Sequence, residues 1–165
     1  NRRDRAQPEV FDLGIMLRAF IEEFNLAERL EAGVLAPDGA PDAEVVFDRG
    51  HLRQVLWDLC RNALRYCRKL PGSLKLTMGM EDGRTVLDVQ DDGPGISGGN
   101  LGKLFEPFFT TAADGTGLGL YIARELCEAN GARLEYHADE AQTGACFRIT
   151  FGEPERKGEG YEHGG

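Results

Sequence analysis

The order of secondary structure in the sequence predicts a mixed β-sheet with helices packed on one face. Two segments with apolar residues at helical spacing come early in the chain, and a third follows a pair of strands. An Asp-Gly pair at residues 82–83 joins those two strands, as is typical of a tight hairpin. Because hairpins and longer crossovers mix along the 165 residues, we expect a single sheet that carries its helices on one side.

Three helices are predicted from apolar periodicity and from residues suited to helix ends. Residues 13–24 repeat apolar side chains at helical spacing behind Asp12, which is a suitable N-cap. Residues 49–67 form a second, longer helix behind Asp48, with leucine and valine on one face. Residues 118–129 form the third helix, and the Asn-Gly pair that follows it is a typical stop signal.

The strands are predicted from short apolar runs between turn residues. Residues 73–80 and 84–90 form the hairpin, and residues 132–137 and 145–151 complete the sheet. Two short extended pieces lie within residues 33–48. We expect residues 97–116, which are rich in glycine and small polar residues, to form a long mobile loop.

The composition is that of one soluble globular domain. The chain has 41% hydrophobic and 28% charged residues, which is ordinary for a protein with a packed core. Its net charge of −9 makes a nucleic-acid partner unexpected, and no run of 18 apolar residues predicts membrane contact by this domain. The four cysteines form no C-x-x-C pair, so we interpret them as small buried side chains in a reducing cytoplasm.

The ends of the chain differ in composition from its middle. We expect residues 1–12 to be a polar linker and the charged, glycine-rich residues 153–165 to be a disordered tail. Residues 13–152 then form the folded domain. A start without methionine indicates a piece of a longer protein.

Two glycine-rich turns are the most informative features of the sequence. Asp91 ends a predicted strand and begins a turn that contains Gly93, Gly95 and Ile96. A carboxylate held there can accept a hydrogen bond from the exocyclic amine of adenine, which guanine lacks at that position. An ordinary acidic turn remains the alternative, because Asp-x-Gly is common in proteins.

The second glycine turn opens the third helix. Free N–H groups and the dipole at a helix start favour a phosphate group. The turn lacks the Gly-Lys-Ser/Thr of a P-loop, and no strand directly precedes it as the dinucleotide fingerprint requires. A flexible loop before the helix is the alternative. The residues of this turn are Gly115, Thr116, Gly117, Leu118, Gly119 and Leu120.

The second predicted helix carries polar residues beside its apolar stripe. Asp58 and Asn62 offer oxygen atoms one turn apart, and oxygen is the ligand that Mg²⁺ prefers. Arg65 is suited to a phosphate, and Tyr66 to stacking on a base. Without the two glycine turns, a polar helix flank would be the preferred interpretation.

Three phenylalanines lie between the two glycine turns. Phe105, Phe108 and Phe109 form either a simple core cluster or the anchors of a movable lid. Flanking glycines favour the lid, because packing can hold such a loop in one of two positions.

Taken together, these motifs resemble the catalytic and ATP-binding domain of bacterial sensor histidine kinases. The N box lies over residues 56–66, the G1 box over 91–96, the F box over 105–109 and the G2 box over 115–120. Residues 143–147 resemble the last glycine box of the family. Finer details are most similar to the sensor kinases of nitrogen regulation and type IV pilus control.

The resemblance implies a two-layer α/β (α+β) sandwich, the Bergerat ATPase fold. It implies a mixed, mostly antiparallel sheet of about five strands with about three helices on one face. It also implies ATP and Mg²⁺ as cofactors. Catalytic and metal-binding roles fall to Asn62 and Asp58. The implied ATP-binding residues are Asn62, Arg65, Tyr66, Asp91, Gly93, Gly95, Ile96, Phe105, Thr110, Thr111, Gly115, Thr116, Gly117, Leu118, Gly119 and Leu120.

The resemblance also implies partners. The γ-phosphoryl group of ATP would pass to a histidine on the protein's own dimerisation and phosphoacceptor domain, and then to an aspartate on a response regulator. That domain is absent from the sequence, so residues 1–12 are expected to be the linker from it. We expect a cytoplasmic domain, and the resemblance allows an inner-membrane anchor in the parent protein.

Two positions, one in the N box and one between the F and G2 boxes, depart from the family pattern. Asp58 stands where sensor kinases usually carry asparagine, and it is expected either to tighten Mg²⁺ binding or to activate water. Ala112 stands where relatives often carry lysine. Two alternatives therefore remain: a serine kinase of the anti-sigma-factor type, and a nucleotide-sensing docking module without catalysis.

Overall fold

The computed structural model describes residues 5–38, 43–96, 98–110, 117–137 and 144–152. Three α-helices and seven strands lie in these ranges. The helices are α1 (Leu13–Glu28), α2 (Arg49–Tyr66) and α3 (Gly119–Ala129). The strands are β1 (Glu9–Asp12), β2 (Leu35–Asp38), β3 (Glu44–Phe47), β4 (Leu74–Glu81), β5 (Arg84–Asp91), β6 (Arg133–His137) and β7 (Cys146–Thr150).

The main sheet has five strands in the order β2-β4-β5-β7-β6. β2 runs parallel to β4, and every other neighbouring pair is antiparallel. Asp82 and Gly83 close the β4–β5 hairpin with φ angles of 52° and 77°, as the predicted tight turn requires. The prediction of a mixed, mostly antiparallel sheet is therefore confirmed.

One face of the sheet and the three helices share a single hydrophobic core. Leu87 and Val89 of β5 and Ile149 of β7 are each at most 1% exposed, and they pack with the apolar stripe of α2. On the other face, Arg148 donates to both oxygens of Asp88 across the β5–β7 pair, at 2.8 and 2.9 Å. The two faces thus differ as expected for a two-layer sandwich.

The two predicted N-caps agree with the structure. Asp12 Oδ1 accepts from the Ile15 N–H at 2.9 Å, and Asp48 Oδ1 accepts from the His51 N–H at 3.0 Å. α1 continues past its predicted end at residue 24 and ends where Arg29 takes a left-handed conformation, with φ of 53°.

Trp57 of α2 packs edge-on against two phenylalanine rings of α1, which places it against the core.

The N-terminal segment contains a strand that the sequence did not predict. Glu9–Asp12 forms β1, which pairs antiparallel with β3 in a separate two-stranded sheet. Phe11 is 5% exposed while Val10 is 61% exposed, so the strand has one buried face. Four residues are too few to show this alternation clearly in a sequence. The structured part therefore begins before residue 13, the boundary expected from the sequence.

The described part of the loop between β5 and α3 contains a 3₁₀ helix, Gly98–Lys103. After it, the Phe105 ring lies 6.1 Å from the Phe147 ring, edge-on, so the loop contacts the end of the core. Residues 97 and 111–116 are outside the described ranges. No helix in the described parts of the chain is long and apolar enough to cross a membrane.

Candidate nucleotide-binding site

A cleft of about 570 Å³ lies between α2, the turn after β5 and the start of α3. Its size suits a small organic ligand. The described residues that line it are Asp58, Arg61, Asn62, Arg65, Tyr66, Asp91, Pro94, Gly95, Ile96, Asn100, Leu104, Phe109, Thr110, Gly117, Gly119, Leu120 and Ala145.

One face of α2 forms a wall of the cleft. Asp58, Asn62 and Arg65 fall at helical spacings of four and three, so their side chains leave the same side of the helix. Leu56 and Leu59 are fully buried on the side that faces the core. The burial of that apolar stripe holds the polar row at the rim, where it meets solvent or a ligand.

Asp58 is a half-buried carboxylate, and one of its two oxygens accepts a hydrogen bond. Its Oδ1 accepts from the Gln54 amide nitrogen at 2.8 Å, whereas Oδ2 is buried without a hydrogen-bond partner among the described residues. Burial raises the pKa of Asp58 to about 6, although the Gln54 hydrogen bond and the charge of Arg61 act in the opposite direction. A cation that contacts Oδ2 would relieve this cost.

The residues at this end of the cleft fit Mg²⁺. Asp58 supplies a carboxylate oxygen that lacks a partner, and Asn62 supplies an amide oxygen one turn later on the same face. The described residues contain no cluster of three His, Cys, Asp or Glu side chains suited to a closed metal cage. Mg²⁺ commonly binds through one or two protein oxygens together with phosphates and water, so this donor set is sufficient.

Asp91 lies at the other end of the α2 wall, because the turn it begins approaches the Tyr66 carbonyl, about two turns along α2 from Asp58. It is 8% exposed, and its Oδ1 accepts from the Gly93 N–H at 2.8 Å and from the Ala145 N–H at 3.4 Å. Burial raises the pKa of Asp91, the two backbone hydrogen bonds lower it, and the neighbouring Asp92 raises it again. The hydrogen bonds from the backbone hold the carboxylate in one orientation, which suits it for selective recognition of a ligand.

Gly93 does not line the cleft but packs against the end of α2, next to it. A Cβ at this position would lie 2.4 Å from the carbonyl oxygen of Tyr66, so no side chain fits there. This close approach brings the end of α2 against the turn that begins at Asp91. Gly93 was predicted to contact the nucleotide; the cleft lining does not include it, and that contact stays a prediction.

A second set of contacts fixes the same turn. Ser73 donates from its hydroxyl to Asp92 Oδ2 at 2.7 Å, and the Arg68 N–H donates to Asp92 Oδ1 at 2.8 Å. These bonds link the segment after α2 to the turn after β5. Consequently, the helix wall and Asp91 are held at a defined separation.

The phenylalanine segment, residues 105–109, closes one side of the cleft. Phe109 lines it, whereas Phe108 is 74% exposed and has a φ of 66°. Phe105 packs on Phe147 and under the guanidinium of Arg124, so it contacts the edge of the core and not the cleft. The three rings therefore have three different environments, which a sequence pattern does not distinguish.

Gly117 connects this segment to α3. Its carbonyl oxygen accepts from the Phe108 N–H at 2.9 Å, and its φ is +73°. A Cβ at Gly117 would lie 2.3 Å from the Phe108 carbonyl carbon. Both the positive φ and the close contact require glycine here.

The structure brings most of the predicted site residues together. Eleven of them line the cleft: Asp58, Asn62, Arg65, Tyr66, Asp91, Gly95, Ile96, Thr110, Gly117, Gly119 and Leu120. Gly93, Phe105 and Leu118 are not among the lining residues. The predictions for Thr111, Gly115 and Thr116 fall outside the described residues.

Several lining residues were not singled out from the sequence. Arg61 lies three positions after Asp58 on α2, so the helical spacing that selected Asp58 and Asn62 also pointed to it. Asn100 and Leu104 reach the cleft through the 3₁₀ helix and the turn after it. No spacing rule in the sequence indicated that contribution.

A family model matches the part of the chain that forms the cleft. The model described as histidine kinase-, DNA gyrase B- and HSP90-like ATPase matches residues 47–155, well over half of the chain. The matched region contains every described residue that lines the cleft.

Curated relatives of the chain include several sensor kinases. The sensor protein kinase PilS of Pseudomonas aeruginosa is 43% identical over 160 residues, which are 94% of this chain and 30% of PilS. The sensor protein FixL of Bradyrhizobium diazoefficiens is 36% identical over 174 residues, covering 90% of this chain and 34% of FixL. The chain therefore spans about a third of the length of these relatives.

Solved structures with the same fold include histidine kinases. The nucleotide-free catalytic domain of histidine kinase ThkA is 28% identical with a TM-score of 0.73, and the match covers 88% of this chain and 95% of that domain. Full-length ShkA in complex with AMPPNP is 28% identical with a TM-score of 0.70, and the match covers 88% of this chain and 31% of ShkA.

Proposed function

Since the chain belongs to the histidine kinase-, DNA gyrase B- and HSP90-like ATPase family, we propose that it positions Mg-ATP for phosphoryl transfer to a histidine. That histidine would lie on a separate dimerisation and phosphoacceptor domain of the parent protein. A response regulator would receive the phosphoryl group in the next step. Sensor kinases among the relatives support this proposal and do not favour either alternative.

The observation that carries the proposal is the position of two oxygen-bearing sites at opposite ends of one cleft. Asp91 is held by backbone donors at one end, and Asp58 with Asn62 offers oxygens at the other. We assign adenine to the first end, where the Asp91 carboxylate accepts from the exocyclic amine. Tyr66 lies beside it and is suited to contact the base.

The chain's own contribution to the reaction is positioning and charge. We assign Asn62 and Asp58 to Mg²⁺, which would neutralise charge on the phosphates when bound. Arg65 lines the same wall and is suited to a phosphate oxygen. Phosphoryl transfer needs little covalent chemistry from a protein, so alignment of ATP with an acceptor is the main task.

A reconstitution experiment tests the proposal. The domain is mixed with labelled ATP, Mg²⁺ and a purified dimerisation domain that carries an acceptor histidine. Acid-labile label on the histidine is expected. Label on a serine of an added anti-sigma-factor partner would instead indicate the serine-kinase alternative, and nucleotide binding without any transfer would indicate a docking module.

A further inference from the structure

Arg61 is a cleft residue to which neither adenine recognition nor metal binding assigns a role. It lines the cleft from α2, next to Asp58 and Asn62. Arg61 follows Asp58 by three residues on α2, a spacing at which side chains on a helix are neighbours. Arg61 therefore lies at the metal end of the cleft.

Few basic side chains surround the cleft. Residues 104–120, which include the phenylalanine segment and the second glycine turn, contain no lysine or arginine. Among the described residues that line the cleft, Arg61 and Arg65 are the basic side chains. A triphosphate therefore depends on α2 for its positively charged contacts.

The two arginines lie at different distances from the base end. α2 rises about 1.5 Å per residue, so Arg61 is displaced by about 7.5 Å along the helix from Tyr66, while Arg65 is adjacent to it. Arg65 is thus suited to the phosphates nearest the base. Arg61 shares its level with Asn62 and lies close to Asp58, at the end assigned to Mg²⁺ and the terminal phosphate.

In the described structure, Arg61 also has a carboxylate partner on another helix. Its Nε lies 3.5 Å from Oε1 of Glu28, the last residue of α1. The Arg61 side chain is 62% exposed and that of Glu28 is 26% exposed. Ion pairs exposed to this extent contribute little to stability, so a phosphate can replace the carboxylate at small cost.

We propose that Arg61 exchanges Glu28 for the terminal phosphate of ATP, so that the end of α1 competes with the nucleotide for one guanidinium. This inference rests on the proposed function, because it assumes that Mg-ATP occupies the cleft. It makes Arg61 a residue that distinguishes ATP from ADP. It makes Glu28 a residue that weakens ATP binding.

Matched variants on the same two helices test the exchange. Arg53 of α2 also pairs with a carboxylate of α1, Glu23, and Arg53 does not line the cleft. Calorimetry with Mg-ATP and Mg-ADP is therefore run on Arg61→Gln and Arg53→Gln. Arg61→Gln is expected to weaken ATP about tenfold and ADP less than twofold, and Arg53→Gln is expected to change neither.

The carboxylate side is tested in the opposite direction. Glu28→Gln is expected to tighten ATP about twofold to threefold, while Glu23→Gln leaves it unchanged. Arg61→Lys retains the charge and is expected to recover most of the ATP affinity. Melting temperatures of all variants establish that each one is folded.

The outcomes separate this inference from the proposed function. Wild-type protein that binds Mg-ATP, together with equal losses of ATP and ADP affinity in Arg61→Gln, would overturn the inference alone. Unchanged ATP affinity in Arg61→Gln or in Glu28→Gln would do the same. Wild-type protein that binds no Mg-ATP would overturn both.

Discussion

Asp58 and Asp91 are two carboxylates of the cleft that are suited to different roles. Both have a pKa raised by burial, but their hydrogen bonds differ. Asp91 Oδ1 accepts from two backbone N–H groups, whereas Asp58 Oδ2 has no partner among the described residues. Asp91 is therefore positioned to accept a hydrogen bond from a neutral donor, and Asp58 to bind a cation.

Asp91→Asn should remove adenine recognition without disturbing the turn. An asparagine Oδ1 can still accept from the Gly93 and Ala145 N–H groups, but its amide nitrogen would face the adenine amine as a second donor. We expect ATP affinity to fall by about 10- to 100-fold, measured by calorimetry. An unchanged melting temperature is the control, and retained ATP affinity would contradict the assignment of adenine to Asp91.

Asp58→Asn should alter how stability depends on pH. The folded-state pKa of Asp58 is about 6, above its unfolded value of about 3.9, so folding favours the neutral carboxyl. That contribution is present below about pH 4 and is lost as the pH rises through 6. In Mg²⁺-free buffer, the variant should therefore gain about 1 kcal/mol over wild type at pH 8 and little at pH 4, allowing for solvent screening.

Urea unfolding of both proteins at the two pH values measures this difference. Asp82→Asn, in the exposed β4–β5 hairpin, is the matched control and should show no such trend. A stability difference between Asp58→Asn and wild type that is the same at both pH values would show that the Asp58 carboxyl is not penalised by burial.

At the level of elements, the site depends on how α2, the turn after β5 and the start of α3 are joined. The Ser73–Asp92 hydrogen bond and the close approach of Gly93 to Tyr66 fix the first junction. The Phe108–Gly117 backbone contact fixes the second. Each junction relies on backbone geometry, so glycine substitutions are the sharpest probes of it.

Gly117→Ala should displace the phenylalanine segment from the start of α3. A Cβ there would lie 2.3 Å from the Phe108 carbonyl carbon at a φ of +73°. We expect Mg-ATP affinity to fall at least about tenfold, as a residue held in strained geometry costs about 1–3 kcal/mol. Gly102→Ala is the control, because a Cβ at Gly102 would meet nothing within 4 Å. Equal affinities in the two variants would show that this contact does not shape the site.

At the level of the whole molecule, nucleotide binding should add directly to stability. A ligand that binds only the folded state at about 100 times its Kd adds about 2.7 kcal/mol, which raises the melting temperature by several degrees. We expect this shift with Mg-ATP and not with Mg-GTP. Amide NMR spectra should show the largest changes at Asn62, Asp91 and Gly117, and their absence would contradict a nucleotide in this cleft.

The sequence predicted the elements that have strong local signals. α2 carries an N-cap, an apolar stripe and a polar row within 18 residues, and the hairpin carries its Asp-Gly turn. β1 was missed because four residues carry little pattern, and its pairing with β3 supplies what its sequence does not indicate. Arg61 was passed over although its spacing agreed with that of Asn62.

By itself, the sequence determined the three helices, every strand except β1, the glycine turns and the set of side chains capable of binding Mg-ATP, because these depend on periodicity and on residue chemistry. Only the tertiary structure decided which of those side chains face the cleft. It placed Gly93 and Phe105 in packing contacts and brought Arg61 to Glu28 across two helices. The reason is physical: a side chain's direction relative to distant elements depends on long-range packing, which no local pattern records.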